Sequence, residues 1–257
     1  MSGTAAADHY DRLLAAHYTW MLGGDIPALA TAQARLLRDL GVRPGAAGTL
    51  AVDLGCGPGP QSLALVELGF SPVLAVDSSR ALLDELVRYA PDDAAVRPLH
   101  ADIRGVLPEH TRPGSVAAVV CMGDTLTHLP SHKDVTQLIG DIAGALADGG
   151  QLVFSYRDLT VPLTGDDRFL PVRSTEDRIM TCFLEYADEA TVTVHDLIHT
   201  RTGDGDEGGG GWTLHTSSYP KLRIGAAWLA DTCRAAGLRI AHDTTGPRGL
   251  RVLTAVR

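Results

Sequence analysis

Lysine is nearly missing from this 257-residue chain: only Lys133 and Lys221 stand among 22 basic residues, set against 31 acidic ones for a formal net charge of −9. No basic run occurs, and neutralising a phosphate backbone needs a clustered basic face, so a polynucleotide partner is excluded. Paired cysteines are missing too. Cys56, Cys121, Cys182 and Cys233 fall in separate predicted elements without C-x-x-C spacing; this signals neither a zinc site nor a redox motif and reads as buried thiols in a reducing compartment. No stretch approaches the ~18 apolar residues of a membrane span, and Met1 to Asp8 lacks the basic and apolar regions of a secretory signal. The expectation is a soluble, cytoplasmic protein, monomer or homodimer, that acts on a small molecule, with neither nucleic acid nor membrane as partner.

What is present is organised around Leu50-Ala51-Val52-Asp53-Leu54-Gly55-Cys56-Gly57-Pro58-Gly59, followed by an apolar run that ends in Asp77. A strand that enters a glycine-rich turn and then a helix is expected to leave backbone N–H groups facing a ligand. A dinucleotide fingerprint, G-x-G-x-x-G/A, wants Gly or Ala at position 60, where Pro60 stands; read from Gly57, its last place holds Ser62. Asp53, just before the turn, repels a pyrophosphate but suits an ammonium, while the turn's amides suit a carboxylate. Asp77, about 20 residues past the turn, offers an acceptor to a ribose diol. A ligand joining an amino acid to a nucleoside meets these conditions together.

Asp53-x-Gly55-x-Gly57-x-Gly59, with Asp77 and His100-Ala101-Asp102, resembles the class I S-adenosylmethionine (SAM) methyltransferases, and the resemblance runs from Tyr10 to Arg257. It implies an α/β, Rossmann-like, doubly wound seven-stranded sheet with SAM as cofactor; no metal is expected, because Mg²⁺ needs several converging carboxylates and only Asp124 and Asp158 stand at neighbouring strand ends. It also implies a cofactor set: Gly55, Cys56, Gly57 and Gly59 with Asp53 at the methionine end, Asp77 and Ser78 at the ribose, Asp102 and the Ile103 amide at the adenine edge, and Met122 beside them. Cys56 and Pro58 fall where the family uses backbone more than side chain.

Taken in order, Asp8 to Leu22 carries Leu13, Leu14, Tyr18, Met21 and Leu22 at helical spacing and stops at Gly23-Gly24. Asp25 caps a second helix with Pro27 in its first turn, closed by Gly41. In the resembling family residues 1–41 fold over the cofactor as a lid, which brings His9, Tyr10, His17, Tyr18 and Trp20 to the site; Tyr18 and Trp20 read equally well as packing residues. Strands at Pro72–Val76, Val96–Ala101, Val116–Cys121 and Leu152–Tyr156 alternate with helices at Gln61–Leu68, at Arg80–Tyr89 and after Ser131. That order implies a parallel sheet with ligands beyond its carboxyl ends. Ile179–Tyr186, Thr191–Thr200 and Trp212–Arg223 then alternate polar and apolar residues, predicting three antiparallel strands inserted at 178–223 after strand five, with a flexible loop at Gly203–Gly211. One more helix and an antiparallel pair, Leu238–Ala241 and Leu250–Val256, close what reads as a single domain. The insertion resembles that of glycine and sarcosine N-methyltransferases and implies a roofed substrate pocket.

The candidate catalytic residues are His128, Asp124, Tyr18 and Tyr156. Asp124 and His128 are four apart, so on a helical turn they share a face: a neutral histidine beside a carboxylate is a general base, or His128 is pocket wall and Asp124 orders its loop. His195 and His199 share one side of a strand and lack the H-E-x-x-H arrangement of a metal site. Tyr219, Lys221 and Arg223 alternate on the last inserted strand, where Lys221 reads as ordinary exposed surface. The function implied is methyl transfer from SAM to a nitrogen or carbon of a small metabolite in natural-product biosynthesis, an indole-type acceptor included. A SAM- or nucleotide-binding regulator and an NAD-dependent oxidoreductase are the other readings; Pro60 and Asp53 weigh against the last.

Overall fold

The computed structural model describes residues 5–45, 48–90, 95–201, 211–246 and 249–257. The loop expected at Gly203–Gly211 lies outside them except for Gly211.

The amino-terminal helix is built in three pieces, α1 (Ala5–His9), a π-helical turn (Tyr10–Leu14) and α2 (Ala15–Leu22). After Gly23-Gly24 comes α3 (Ile26–Asp39), capped as its sequence predicts: the Asp25 side chain accepts a hydrogen bond from Ala28 N at 2.9 Å. Then β1 (Ala51–Leu54), α4 (Pro60–Glu67), β2 (Val73–Asp77), α5 (Arg80–Tyr89), β3 (Val96–His100), a short α6 (Val106–His110), β4 (Val116–Cys121), α7 (His132–Ala145) and β5 (Leu146–Tyr156) alternate. Every residue of β1 and β4 is buried, because helices cover both faces of the sheet.

Beyond β5 the chain forms β6 (Phe169–Ser174), β7 (Arg178–Glu185), β8 (Thr191–Arg201) and β9 (Trp212–Leu222), then α8 (Ala226–Ala235), β10 (Arg239–Thr245) and β11 (Arg251–Val256). The main sheet has the order β10-β11-β5-β4-β1-β2-β3. Here β2 and β4 flank β1 in parallel, whereas β11 runs antiparallel to both of its neighbours. The chain leaves β1 towards one edge and returns beside it as β4, which opens a crevice at their carboxyl ends.

The inserted sheet has four strands, β6-β7-β8-β9, rather than the three expected, and it begins at Phe169. The sequence hides β6: Pro171 breaks its alternation, and the pairing with β7 shifts register between Pro171 and Arg173. Proline is tolerated there because β6 is an edge strand. The inner face of this sheet, with Leu184, Val192, Val194 and Tyr219, packs against Ala6 of α1, while Met180 and Ile198 pack against Leu14. The segment from α1 to α2 and the insertion thus form one structure above the crevice, whereas α3 packs on α4 beside the main sheet through Ala34 and Leu37.

Candidate functional site

The glycine turn shows first what the crevice can hold. Gly55 and Gly57 have φ of +74° and +53°, a conformation that side-chain-bearing residues seldom adopt. A Cβ on Gly55 would lie 2.3 Å from Thr125 Cγ2, and one on Gly57 3.3 Å from the Tyr18 ring. Thr125 and the Tyr18 ring thus pack directly onto the turn, an approach that glycine alone allows. The turn does not present the free amides expected of it. Gly55 N and Cys56 N both donate to Val76 O, at 2.8 and 2.9 Å, and Gly59 N donates to Cys56 O at 3.0 Å. Gly57 N donates to the Asp77 carboxylate at 2.8 Å; Pro58 and Pro60 carry no N–H.

Asp53 departs from expectation as well. Its carboxylate is fully buried and lines no cavity found in the described residues. Ser62 Oγ donates to it at 2.6 Å, inside the first turn of α4, where the N-cap residue Gly59 has no side chain to offer. Burial pushes its pKa up to about 7, against the hydrogen bonds from Ser62. Asp53 therefore caps a helix rather than facing an ammonium.

Three cavities meet at Tyr18. The largest, about 640 Å³, is lined by Gly55, Gly57, Asp77, Ser78, Asp102 and Ile103, with Tyr10 and His128 at its far wall. Burial raises the Asp77 carboxyl, against amide hydrogen bonds from Ser79 and Gly57 at 2.8 Å each. Asp102 is pushed up by burial, but its hydrogen bonds and ion pair with Arg104 outweigh that and hold it below the usual range. The second cavity, about 130 Å³, adjoins the first at Tyr18 and Gly55 and is lined by Gln33, Cys56, Met122 and Ser155. The third, about 420 Å³, lies under the inserted sheet and shares Tyr10, Tyr18 and His128 with the first.

The third cavity combines apolar walls with buried charge. Asp124, at φ +78°, accepts the Arg157 backbone N–H at 2.5 Å and lies 3.2 Å from Lys221 Nζ. Burial raises its carboxyl, yet the charge of Lys221 and the Arg157 N–H leave it below the ordinary carboxylate range. Lys221 is thus a buried partner, not surface. His128 is buried with Nε2 unpartnered, and its pKa falls to about 3, first through burial and then through Lys221, with Asp124 opposing. Its ring stands 5.8 Å from that of Tyr10 and 5.4 Å from that of Tyr219. Burial pushes the Tyr18 phenol up to about 12, so it is neutral at physiological pH. On β8, Asp196 accepts from Cys182 Sγ at 2.8 Å and pairs with His9 Nε2 at 2.8 Å, which ties α1 to the insertion.

Three expected site residues lie elsewhere. Trp20 lines none of the three cavities and carries the guanidinium groups of Arg173 and Arg178 at 5.6 and 4.9 Å from its ring. Its Nε1 donates to Thr175 Oγ1 at 3.3 Å. Tyr156 is fully buried on the face of β5 opposite Ser155, within the main core. Strand alternation sends its ring away from the crevice. Gly59 lies outside the cavities; a Cβ there would lie 2.0 Å from Leu86, so glycine is needed for α5 to pack. His195 pairs with Glu185 at 2.9 Å with its side chain about one-third exposed, and among the described residues no cluster could hold a metal ion. The sequence reading missed Gln33, Ser155 and Asp196. Asp196 alone carried a signal, an acid at an inward position between Val194 and Ile198 of an alternating strand.

Residues 51–150 match a family model described as a methyltransferase domain. No curated protein matches the chain. Among solved structures, the CcbJ methyltransferase from Streptomyces caelestis superposes with a TM-score of 0.73 at 18% identity, covering 99% of this chain and 98% of that one. CalS10, an amino pentose methyltransferase from Micromonospora echinaspora involved in calicheamicin biosynthesis and solved with SAM bound, gives 0.63 at 18% identity, over 100% and 98%. The sugar N-methyltransferase KedS8 from a Streptoalloteichus species gives 0.62 at 20% identity, over 100% and 94%. At these identities the likeness is one of fold.

Proposed function

We propose that the chain, whose residues 51–150 match a methyltransferase domain, is a SAM-dependent methyltransferase that methylates a neutral nitrogen, or an equally electron-rich carbon, of a small metabolite in natural-product biosynthesis. The observation that carries this reading is His128, neutral and unpartnered at Nε2, on the wall between the 640 Å³ and 420 Å³ cavities. The residues present fit the cofactor: Gly55, Gly57 and the Asp77 carboxylate line one cavity of about 640 Å³ together with Asp102 and Ile103.

SAM supplies an electrophilic methyl group when bound. Asp77 accepts hydroxyl hydrogens of a ribose, and Asp102 with the Ile103 amide borders the space for an adenine. Tyr18 closes the junction of the cavities and, with the inserted sheet, excludes water. His128 Nε2 accepts an N–H of the acceptor and so aims the nitrogen lone pair across the junction. A base whose conjugate acid has a pKa of about 3 is poorly matched to taking a hydroxyl proton near neutral pH. An acceptor that brings its own lone pair or electron-rich carbon suits the site better. Most of the acceleration then comes from positioning, for which effective molarities reach roughly 10⁵–10⁸ M. The Asp124–Lys221 pair fixes the loop that carries His128. Arg157, which has no side-chain hydrogen bond or ion pair among the described residues, borders the acceptor cavity and suits an oxygen-bearing group on the acceptor. The similarity to CalS10, an amino pentose methyltransferase, and KedS8, a sugar N-methyltransferase, supports an amine on a sugar-like acceptor.

The test is incubation with SAM and a panel of amines, amino sugars, indoles and alcohols, read by mass spectrometry for the gain of one CH₂ unit. Methylation confined to alcohols would overturn the role given to His128. No transfer to any acceptor, with S-adenosylhomocysteine still bound, would favour the regulator reading.

A further inference from the structure

We propose that Gln33 and Ser155 hold the amino-acid end of SAM, in the small cavity behind Tyr18, in place of Asp53 and the amides of the glycine turn. The proposal rests on the reading of the larger cavity as the nucleoside site. An amino-acid head group is a zwitterion, and taking it out of water demands both acceptors and donors. The usual suppliers are already engaged. The N–H groups of Gly55, Cys56, Gly57 and Gly59 all have partners within the protein, and Asp53 is closed off behind Ser62.

The small cavity supplies what is lacking. It shares Tyr18 and Gly55 with the nucleoside cavity, so the two spaces adjoin at these residues. Its volume, about 130 Å³, is some four times the ~30 Å³ share of one water, which suits an ammonium and a carboxylate on one carbon but not a nucleoside. Leu29, Leu36 and Met122 make much of its wall apolar, a setting in which an unpaired polar atom is costly. Gln33 Oε1 is nevertheless buried there without a partner. A carboxamide presents an acceptor and two donors from one plane, so the same side chain can face an ammonium and a carboxylate. Ser155 Oγ accepts the Gly123 N–H at 2.9 Å, which leaves its hydroxyl hydrogen to donate to a carboxylate oxygen.

Calorimetric titration of the full chain with S-adenosylhomocysteine and with 5′-methylthioadenosine, which keeps the nucleoside and thioether but lacks the amino acid, tests this directly. Wild type should bind S-adenosylhomocysteine at least about tenfold more tightly. Gln33→Leu should lose about tenfold in S-adenosylhomocysteine affinity and leave 5′-methylthioadenosine within about twofold. Ser155→Ala should show the same pattern with a smaller loss. The melting temperature of ligand-free Gln33→Leu should be unchanged or raised, since an orphaned polar atom is removed; a structural role for Gln33 would lower it. Unchanged S-adenosylhomocysteine binding by Gln33→Leu, or equal losses for both ligands, overturns the proposal. If wild type binds neither ligand, the donor site itself is misread and the proposal falls with it.

Discussion

On the donor side, at the carboxyl ends of β1 and β2, the walls of the site are made by backbone: a turn at positive φ, amides folded back on carbonyls, and two strand-end positions. On the acceptor side they are made by side chains that arrive from distant segments, such as Tyr10, Asp124, Asp196, Tyr219 and Lys221. A backbone wall tolerates no added atom, since it has no rotamer through which to yield. A side-chain wall is sensitive to charge and hydrogen bonding instead, because removing one member leaves another buried and unpaired. The two sides should therefore fail differently when mutated, and the effect on donor affinity should rank them.

The sharpest contrast is Gly55→Ala. With φ at +74° and the new Cβ 2.3 Å from Thr125 Cγ2, the substitution should cost about 2–4 kcal/mol of stability. It should also abolish the rise in melting temperature that S-adenosylhomocysteine gives wild type, because only a native-state binder stabilises by mass action. A normal thermal shift in Gly55→Ala would mean that the ligand does not use the turn. Next comes Asp77→Ala, which keeps the backbone and removes the carboxylate. A loss of roughly 10–150-fold in S-adenosylhomocysteine affinity is expected, the range for hydrogen bonds to a charged group; titration calorimetry measures it.

On the acceptor side, His128→Ala should leave donor affinity nearly untouched. Its effect belongs on kcat/KM, a fall of about 10–100-fold from lost aim of the acceptor. Because the pKa of His128 lies near 3, the mutation should remove no ionisation from the pH–rate profile between about pH 5 and 9. A wild-type profile with a limb near 6.5 that disappears in His128→Ala would restore His128 as a general base.

The same contrast explains what the sequence could be made to say. β1, β4 and α7 are legible because burial on both faces, apolar periodicity and a Ser131 cap are local properties, and Asp77 is legible because a strand end fixes where its carboxylate goes. Trp20 and Tyr156 are misjudged for the opposite reason. Which way an aromatic ring turns is set by partners far along the chain: Arg173 and Arg178 for Trp20, the core beneath β5 for Tyr156. Lys221 reads as surface until Asp124 is seen beside it. The extra strand β6 is hidden by Pro171, which only its edge position makes acceptable.

The smallest effect on donor binding, and the one that separates most cleanly the motif from its chemistry, is expected for Asp53→Asn. Asp53 is next to last in β1 and Asp77 last in the neighbouring parallel β2, and both belong to the pattern that carries the resemblance to the methyltransferases. If Asp53 only caps α4, an amide can still accept from Ser62 Oγ, and S-adenosylhomocysteine affinity should stay within about twofold of wild type. What changes is the dependence of stability on pH. The folded carboxyl titrates at about 7, above its ordinary value of 3.8, so the folded state holds a proton that the unfolded state has released. Stability tied to Asp53 is then full below about pH 4 and drains away as pH rises to about 7, by on the order of 4 kcal/mol. Asp53→Asn should flatten that slope in denaturant titrations from pH 4 to 8, and be more stable than wild type at pH 8. A large loss of S-adenosylhomocysteine affinity with the slope unchanged would instead return Asp53 to the ligand, and would leave the amino-acid end of the donor held where the family pattern first suggests.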